Sequence, residues 1–183
     1  GGSADRAHAV LKTLPTTDRL VTVTHPASGE AWNLQAKQIS YDPSVANDGA
    51  LLIGVSAQGS GYGLEVAKLL TAGKVTQGAA GNLASVDFGA GYNFGLQAHL
   101  QVFALTGTSA TVKLQQSSDN GVGDAWADVT GGAFAAATGR GTQRIETARN
   151  QAVERYLRVV TTGVFTNLVF AVTAEVNQKL TVF

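Results

Sequence analysis

The chain has 183 residues and a formal net charge of zero, from 13 Lys and Arg against 13 Asp and Glu. Its hydrophobic content of 44% is enough for a core. Disordered chains combine low hydrophobicity with high net charge, and this chain has neither property. Without a basic surplus a general nucleic-acid binder is disfavoured, and without cysteine no disulfide, thiolate nucleophile or cysteine metal site exists. No apolar run approaches the ~20 residues that span a bilayer, so we expect no membrane partner.

The first predicted element is a short helix near the N-terminus. Ser3 can cap it, Asp5 falls in its first turn, and Pro15 ends it. Four apolar residues fall near helical spacing: Ala7, Val10, Leu11 and Leu14. We expect the stripe formed by Val10 and Leu11 to pack on a sheet.

Short strands separated by turn residues follow this helix. The strands are rich in β-branched or apolar residues, and the breaks contain Pro, Asn, Asp or Gly. In chain order, the pattern predicts strands at residues 20–24, 33–41 and 50–56, with breaks at His25-Pro26, Asp42-Pro43 and Asn47-Asp48-Gly49.

The next part of the chain is dominated by small residues. Residues 58–63 predict a flexible loop, and residues 64–70 fit either a strand or a helical turn. The segment from Gly73 to Gly91 is rich in Gly, Ala, Ser and Asn, with a weak strand pattern at residues 83–88. We interpret this segment as a linker or a mobile surface loop.

From Asn93 onward, alternation of apolar and polar residues predicts strands with one apolar face. The predicted strands lie at residues 94–105, 110–117, around Trp126 and Val129, 143–147, 156–161 and 168–176. Turns are predicted at Gly107-Thr108, Asp119-Asn120-Gly121 and Gly131-Gly132. Residues 179–183 are predicted to form an edge strand or an exposed arm. The fold class predicted is mainly β, an antiparallel β-sandwich with one short N-terminal helix. We expect Trp126 to be buried between the sheets.

The domain organisation follows the change in pattern near residue 92. Residues 1–92 contain the helix, the first strands and the Gly-rich loop, and residues 93–183 form the β-sandwich. Because 183 residues suffice for one domain or two small ones, one continuous domain is the alternative.

No catalytic or metal-binding constellation is predicted. The three histidines are His8, His25 and His99, and none belongs to a His-x-x-x-His or Glu-x-x-His pair. His99 alternates with the apolar face of its strand, so we expect it to face water or an adjoining subunit. We therefore predict no catalytic residues, no cofactor, no metal ion and no enzymatic activity.

The remaining polar motifs fit turns and surface pairs. Three Gly-rich segments lack phosphate-loop patterns, and neither Ser56 nor Ser60 sits in a nucleophile elbow. Asp119, Asn120 and Asp124 could in principle offer oxygen ligands to a hard cation, but the EF-hand spacing is not met, so turn formation is the favoured interpretation. The Gly-rich segments are residues 59–63, 121–123 and 139–141; the other loop carboxylates are Asp42, Asp48 and Asp128.

Five arginines form the one basic concentration, with Glu146 and Glu154 among them. Cross-strand ion pairs or a seam between subunits explain them more simply than nucleic acid does. The arginines are Arg140, Arg144, Arg149, Arg155 and Arg158.

Three segments together show a sequence pattern typical of one group of β-sandwiches. They are residues 117–121 (SSDNG), 125–129 (AWADV) and 155–160 (RYLRVV). Their order, a turn, a Trp strand and an Arg-Tyr-x-Arg-Val strand, resembles jelly-roll domains of the galactose-binding type. The resemblance implies a hairpin closed by the turn, with the Trp filling the core.

A wider set of matching segments covers residues 50–176. They are residues 55–59 (VSAQG), 63–64 (GL), 94–102 (FGLQAHLQV), 110–115 (ATVKLQ) and 155–159 (RYLRV). This part of the chain resembles the C-terminal part of the major tail, or tail tube, proteins of tailed actinobacterial phages. The helix at residues 5–14 and the strand at residues 20–24 fit the same order of elements.

This second resemblance implies a virion structural protein that assembles in the host cytoplasm. Six copies would form a ring by strand pairing across subunits, and stacked rings would form a conduit for the genome. The implied partners are copies of the chain, other virion proteins, and phage DNA that passes without sequence-specific binding. Residues 73–91 and 179–183 are our candidate contacts between neighbours.

Two other classes of function stay open. A capsid decoration protein or a carbohydrate-binding β-sandwich comes second, and an enzyme comes last. A carbohydrate module needs a patch of exposed aromatic side chains, whereas the two Trp and four Tyr residues are scattered along this sequence.

Overall fold

The computed structural model describes residues 18–180, which fold into antiparallel β-structure. Ten strands are present in this range, and no helix is, so none there is long and apolar enough to cross a membrane. The predicted mainly-β fold class is confirmed, while the predicted helix lies outside the described residues. The strands are β1 (Arg19–His25), β2 (Glu30–Val45), β3 (Leu51–Gly59), β4 (Glu65–Leu69), β5 (Val75–Gln77), β6 (Gly81–Asp87), β7 (Leu96–Ser117), β8 (Ala127–Ala133), β9 (Gly141–Glu146) and β10 (Tyr156–Val176).

The described chain divides into two compact units. One contains residues 18–21 and 33–65, and the other contains residues 22–32 and 66–180. The predicted boundary near residue 92 stays a prediction, because the division into units does not address it.

The larger unit is built on the pairing of β7 with β10. These strands have 22 and 21 residues, and their register runs from Tyr156 opposite Ser117 to Val176 opposite Leu96. β4, β5 and β6 pair along the other edge of β10, and β8 and β9 pair along the other edge of β7. Short strands thus cover both edges of the central pair.

The four strands predicted at residues 94–105, 110–117, 156–161 and 168–176 are halves of these two long strands. The predicted turn at Gly107-Thr108 is wrong, because β7 continues through it opposite β10. Gly107 and Gly163 have φ angles of 143° and 117°, which few other residues adopt, and register shifts occur at Phe165. The glycine bends the strand instead of reversing it.

One apolar core joins both halves of the long strands. Leu96 and Leu100 come from the first half of β7, Leu114 comes from the second, and Leu157 and Phe170 come from β10. All five side chains are fully buried. This shared core agrees with a sandwich built from the period-two segments, since residues from both halves bury their apolar faces together.

The segment from Gly73 to Gly91 is part of the sheet, and its interpretation as a linker or mobile loop is wrong. β5 pairs with β10 opposite residues 168–170, and β6 pairs with it opposite residues 156–161. Val75, Leu83 and Val86 pack against the core. Small residues mask this pattern in the sequence because few large side chains are needed where the central strands supply most of the apolar surface.

Several predicted element boundaries also shift. Residues 64–70, left open between strand and helical turn, contain β4, and Gly131-Gly132 lies inside β8 instead of ending it. Residues 179 and 180 are not in a strand, and residues 181–183 lie outside the described range. The predicted edge strand at the C-terminus therefore remains a prediction for its last three residues.

In the smaller unit, β2 and β3 form a hairpin. Their register runs from Ala36 opposite Gly59 to Val45 opposite Leu51. The predicted turn at Asn47-Asp48-Gly49 closes it, with Gly49 at φ 82° and the Asp48 Oδ1 accepting the Ala50 N–H at 2.9 Å. The predicted break at Asp42-Pro43 is wrong, because Pro43 lies within β2 opposite Ile53.

Candidate interaction surface

The β2–β3 hairpin carries its apolar residues on one face. Residues directly opposite each other in an antiparallel pair share a face, and every second residue along a strand returns to it. The register therefore puts one set of residues together, which we call the apolar hairpin face: Tyr41, Pro43, Val45, Leu51, Ile53 and Val55. The opposite face carries small or polar residues apart from Leu52, and consists of Ser40, Asp42, Ser44, Leu52, Gly54 and Ser56.

This apolar face is open to solvent. All nine residues of β3 are exposed. Val45 is 70% exposed, Leu51 60% and Val55 42%. The sequence predicts the strand at residues 50–56 but not the exposed face, although the alternation of Tyr41, Pro43 and Val45 indicates it. An apolar strand face that stays exposed within residues 18–180 is the feature of this unit that favours a binding partner.

A second prominent feature is the turn between β7 and β8, where Asp119 organises the backbone. Its carboxylate accepts the N–H groups of Val122 at 3.1 Å, Gly123 at 2.6 Å and Asp124 at 3.1 Å. Partial burial acts to raise the pKa of Asp119, but these backbone donors outweigh it and hold the pKa below the ordinary value. The turn interpretation of Asp119 accounts for these bonds.

The carboxylates beside this turn do not gather into a metal site. No group of three or more His, Cys, Asp or Glu side chains that could hold a metal ion occurs within residues 18–180. Asp124 accepts the Ser118 N–H at 2.7 Å, which lowers the pKa of Asp124. Burial and the neighbouring Asp124 raise the pKa of Glu154. The predicted oxygen ligands Asp119 and Asp124 are thus occupied by backbone donors.

Trp126 lies at the surface beside this turn, and the prediction that it is buried between sheets is wrong. Its side chain is half-buried. The Arg158 guanidinium lies 4.4 Å from the ring centroid, and the ring contacts Gly121 so closely that a Cβ there would collide with the indole nitrogen. Core positions in this region are filled by Val129 and Leu157 instead.

A ladder of polar side chains extends from Arg158 across three strands. Arg158 Nη2 donates to Gln115 Oε1 at 2.7 Å, and Gln115 Nε2 donates to Asp128 Oδ1 at 2.8 Å. Lys113 Nζ contacts the other oxygen of Asp128 at 2.7 Å, and this bond is the main reason that the pKa of Asp128 is lowered. These groups on β10, β7 and β8 satisfy one another.

Two of the arginines pair with acids: the Arg155 pair joins residues distant in sequence, as the interpretation as cross-strand ion pairs expects, whereas the Arg144 pair lies within β9. Arg155 forms two bonds to Asp87, of 2.8 and 2.7 Å, and Arg144 contacts Glu146 at 3.0 Å. The Arg155 bond lowers the pKa of Asp87 to about 2. Arg140 donates to the Phe103 carbonyl at 3.0 Å instead of pairing with an acid there.

The histidines occupy unrelated environments. His25 is exposed, and its Nδ1 lies 2.9 Å from Ser28 Oγ in the β1–β2 turn. His99 is only 2% exposed, so the expectation that it faces water or a subunit is wrong. On the same face of β7, Gln101 Nε2 donates to Thr22 Oγ1 of β1 at 3.1 Å, which shows that this face is covered as well as the core face. His8 lies outside the described residues.

Two other sequence motifs and one pocket lie away from the β7–β8 turn. Gly139 and Arg140 lie in a bend directly before β9, which begins at Gly141, and Ser60 Oγ donates to the Gln35 carbonyl at 3.3 Å. A pocket beside β4, β5 and β6 is lined by apolar and small residues, without a charged side chain: Pro26, Gly29, Leu69, Leu70, Thr71, Ala72, Gly73, Val75, Leu83, Ala84, Ser85 and Val86. This pocket offers no acid or base for catalysis.

The chain was compared with known proteins. No protein-family model matches it, and no curated protein matches it significantly.

Proposed function

We propose that this chain is a phage virion structural protein, a subunit of a tail tube that assembles as stacked homo-oligomeric rings forming a conduit for DNA. The observation that carries the proposal is the exposure of large apolar side chains along strands. Besides the apolar hairpin face, Val23 is 57% exposed, Val66 is 55% exposed and Phe103 is 41% exposed. Exposed apolar surface of this extent supports burial against other protein chains.

The charge pattern supports contacts between copies. Charged residues make up only 14% of the chain, and charged side chains are depleted in the cores of protein interfaces. Within residues 18–180, β3 pairs with β2 and with no other strand, so its second edge is left for another chain, and a ring can satisfy such edges by closing on itself. These properties are those of a surface that other subunits cover.

The balanced charge is also compatible with a conduit. A protein that binds DNA tightly neutralises phosphates with a surplus of Lys and Arg, and this chain has none. A neutral lumen would let DNA move through without sequence-specific contacts. The proposal includes no enzymatic role, since the polar side chains at the β7–β8 turn and on the ladder bond to the backbone or to one another.

Electron microscopy of the purified chain, combined with sedimentation velocity over a concentration range, tests the proposal. We expect rings or tubes of constant diameter and a sedimentation coefficient that rises with concentration. A monodisperse monomer at every concentration, with no ring or tube on the grid, would contradict it. Deleting residues 179–183 tests the C-terminal contact: we expect impaired assembly with an unchanged circular dichroism spectrum.

A carbohydrate-binding module, or a decoration protein on a capsid, is the alternative. The specific observation in favour of sugar binding is Trp126, which is half-buried at the surface and borders the polar ladder that contains Gln115 and Asp128. Aromatic faces beside hydrogen-bonding groups are typical of sugar sites. Saturable quenching of Trp126 fluorescence by a simple sugar such as galactose, with a monomeric protein, would favour this alternative over the tube subunit.

A further inference from the structure

We infer that the apolar hairpin face docks on a second copy of this chain. The inference rests on the proposed self-assembly and names a surface that makes one of its contacts. This surface differs from the candidate contacts between neighbours predicted from the sequence. Residues 73–91 form part of the sheet, and most of residues 179–183 lie outside the described range.

The amount of exposed apolar surface fits a protein interface. Val45, Leu51, Ile53 and Val55 are 70%, 60%, 36% and 42% exposed. Together they present roughly 400 Å², about half of the ~800 Å² that each partner contributes to a standard interface. Exposed Pro43 and half-buried Tyr41 extend the same face. A patch of this size matches the largest apolar patch of a typical monomer, and such patches are often binding sites.

The distribution of charge favours another copy of the chain as the occupant. Neither the apolar hairpin face nor any residue of β3 is charged. Nucleic acid or an anionic lipid surface would need Lys or Arg on this face. A second copy brings a neutral protein with apolar surface of the same kind, so no net repulsion opposes the contact.

The backbone of β3 adds a further reason. Within residues 18–180, β3 pairs with β2 and with no other strand. The second edge of β3 is therefore left for backbone pairing with another chain. Docking on a copy would cover the apolar face and pair this edge in one step.

Two adjacent residues of β3 provide a matched test. Ile53 belongs to the apolar hairpin face, whereas Leu52, 56% exposed, points to the opposite face. We expect Ile53→Lys to weaken self-association by at least about tenfold, because a charge would enter the contact. Leu52→Lys should change it by no more than about twofold. Sedimentation equilibrium of both variants and the unchanged chain gives the association constants, and circular dichroism verifies that each variant folds.

Cross-linking identifies the occupant directly. Because the chain lacks cysteine, Ile53→Cys provides a single attachment point for a benzophenone maleimide. Labelled protein is mixed with an excess of ¹⁵N-enriched unlabelled chain, irradiated and analysed by mass spectrometry. We expect cross-links that join light to heavy chains, and fewer of them from Leu52→Cys. Cross-links confined to one chain would overturn the inference.

The outcomes separate this inference from the proposed function. If the chain forms dimers that Ile53→Lys weakens, but no rings or tubes, the result would support the docking face and contradict the tail tube. Rings that form equally well with Ile53→Lys would overturn the docking face alone. A chain that stays monomeric under all conditions would overturn both.

Discussion

The guanidinium of Arg158 lies 4.4 Å from the centre of the Trp126 ring, and the same guanidinium bonds to Gln115 across the β10–β7 pair. The largest aromatic side chain near the β7–β8 turn is therefore held on the outside of the sheet by a cation. Trp126 belongs to the polar surface, where its flat ring covers Gly121 and supports the turn.

Truncation of Trp126 should accordingly cost less than truncation of a core aromatic. We expect Trp126→Ala to lower the free energy of unfolding by ~1–3 kcal/mol, against the ~3–5 kcal/mol typical of a fully buried Trp. Urea denaturation gives the value. In a Trp32→Phe background, iodide should quench Trp126 partially, and Arg158→Ala should increase that quenching. Complete protection from iodide would show that the ring is buried after all.

The fully buried Phe170 provides the contrasting case. It is a central member of the core, while Phe103 on the adjacent strand is 41% exposed. We expect Phe170→Ala to destabilise the fold by ~3–5 kcal/mol, because the substitution leaves a cavity. Phe103→Ala is the control and should cost much less in the same denaturation experiment. Equal effects would mean that the two rings share one environment.

The bend of the long strands depends on glycine at position 163. Gly163 has a φ of 117°, and a Cβ there would run into the backbone of Ser109 on β7. We expect Gly163→Ala to destabilise the protein by ~2–4 kcal/mol, through backbone strain and steric overlap. Gly139→Ala, where a Cβ meets open space, is the control. A stable Gly163→Ala protein would show that β7 and β10 can pair without this bend.

The ion pair of Asp87 and Arg155 predicts a specific response to acid. Arg155 lowers the pKa of Asp87 to about 2 from its ordinary value of 3.8. A depressed folded-state pKa stabilises the protein above the unfolded value, and that stabilisation is lost as pH falls from about 4 through 2. Carbon-detected NMR should give a midpoint near 2 for Asp87, and Arg155→Gln should move it upward. Because Asp87 is exposed, Asp87→Asn should change overall stability little at pH 7. A midpoint near 4 in the unchanged protein would contradict the pairing.

Much of the fold follows from local pattern in the sequence. Alternation of apolar and polar residues predicts strands wherever one side faces a core, and the segments at residues 143–147, 156–161 and 168–176 lie largely within strands of the structure. Asn47-Asp48-Gly49 predicts its turn because the backbone there needs a positive φ and a side-chain acceptor.

What only the tertiary structure decides is which surfaces are covered. Alternation predicts that a strand has two faces but not which of them is covered: His99 is buried, whereas Ile53 stays exposed within residues 18–180. Likewise, a glycine permits either a reversal or a bend, and the pairing of Gly107 with Phe165 selects the bend. Burial and register arise from contacts between residues distant in sequence, which a local pattern does not contain.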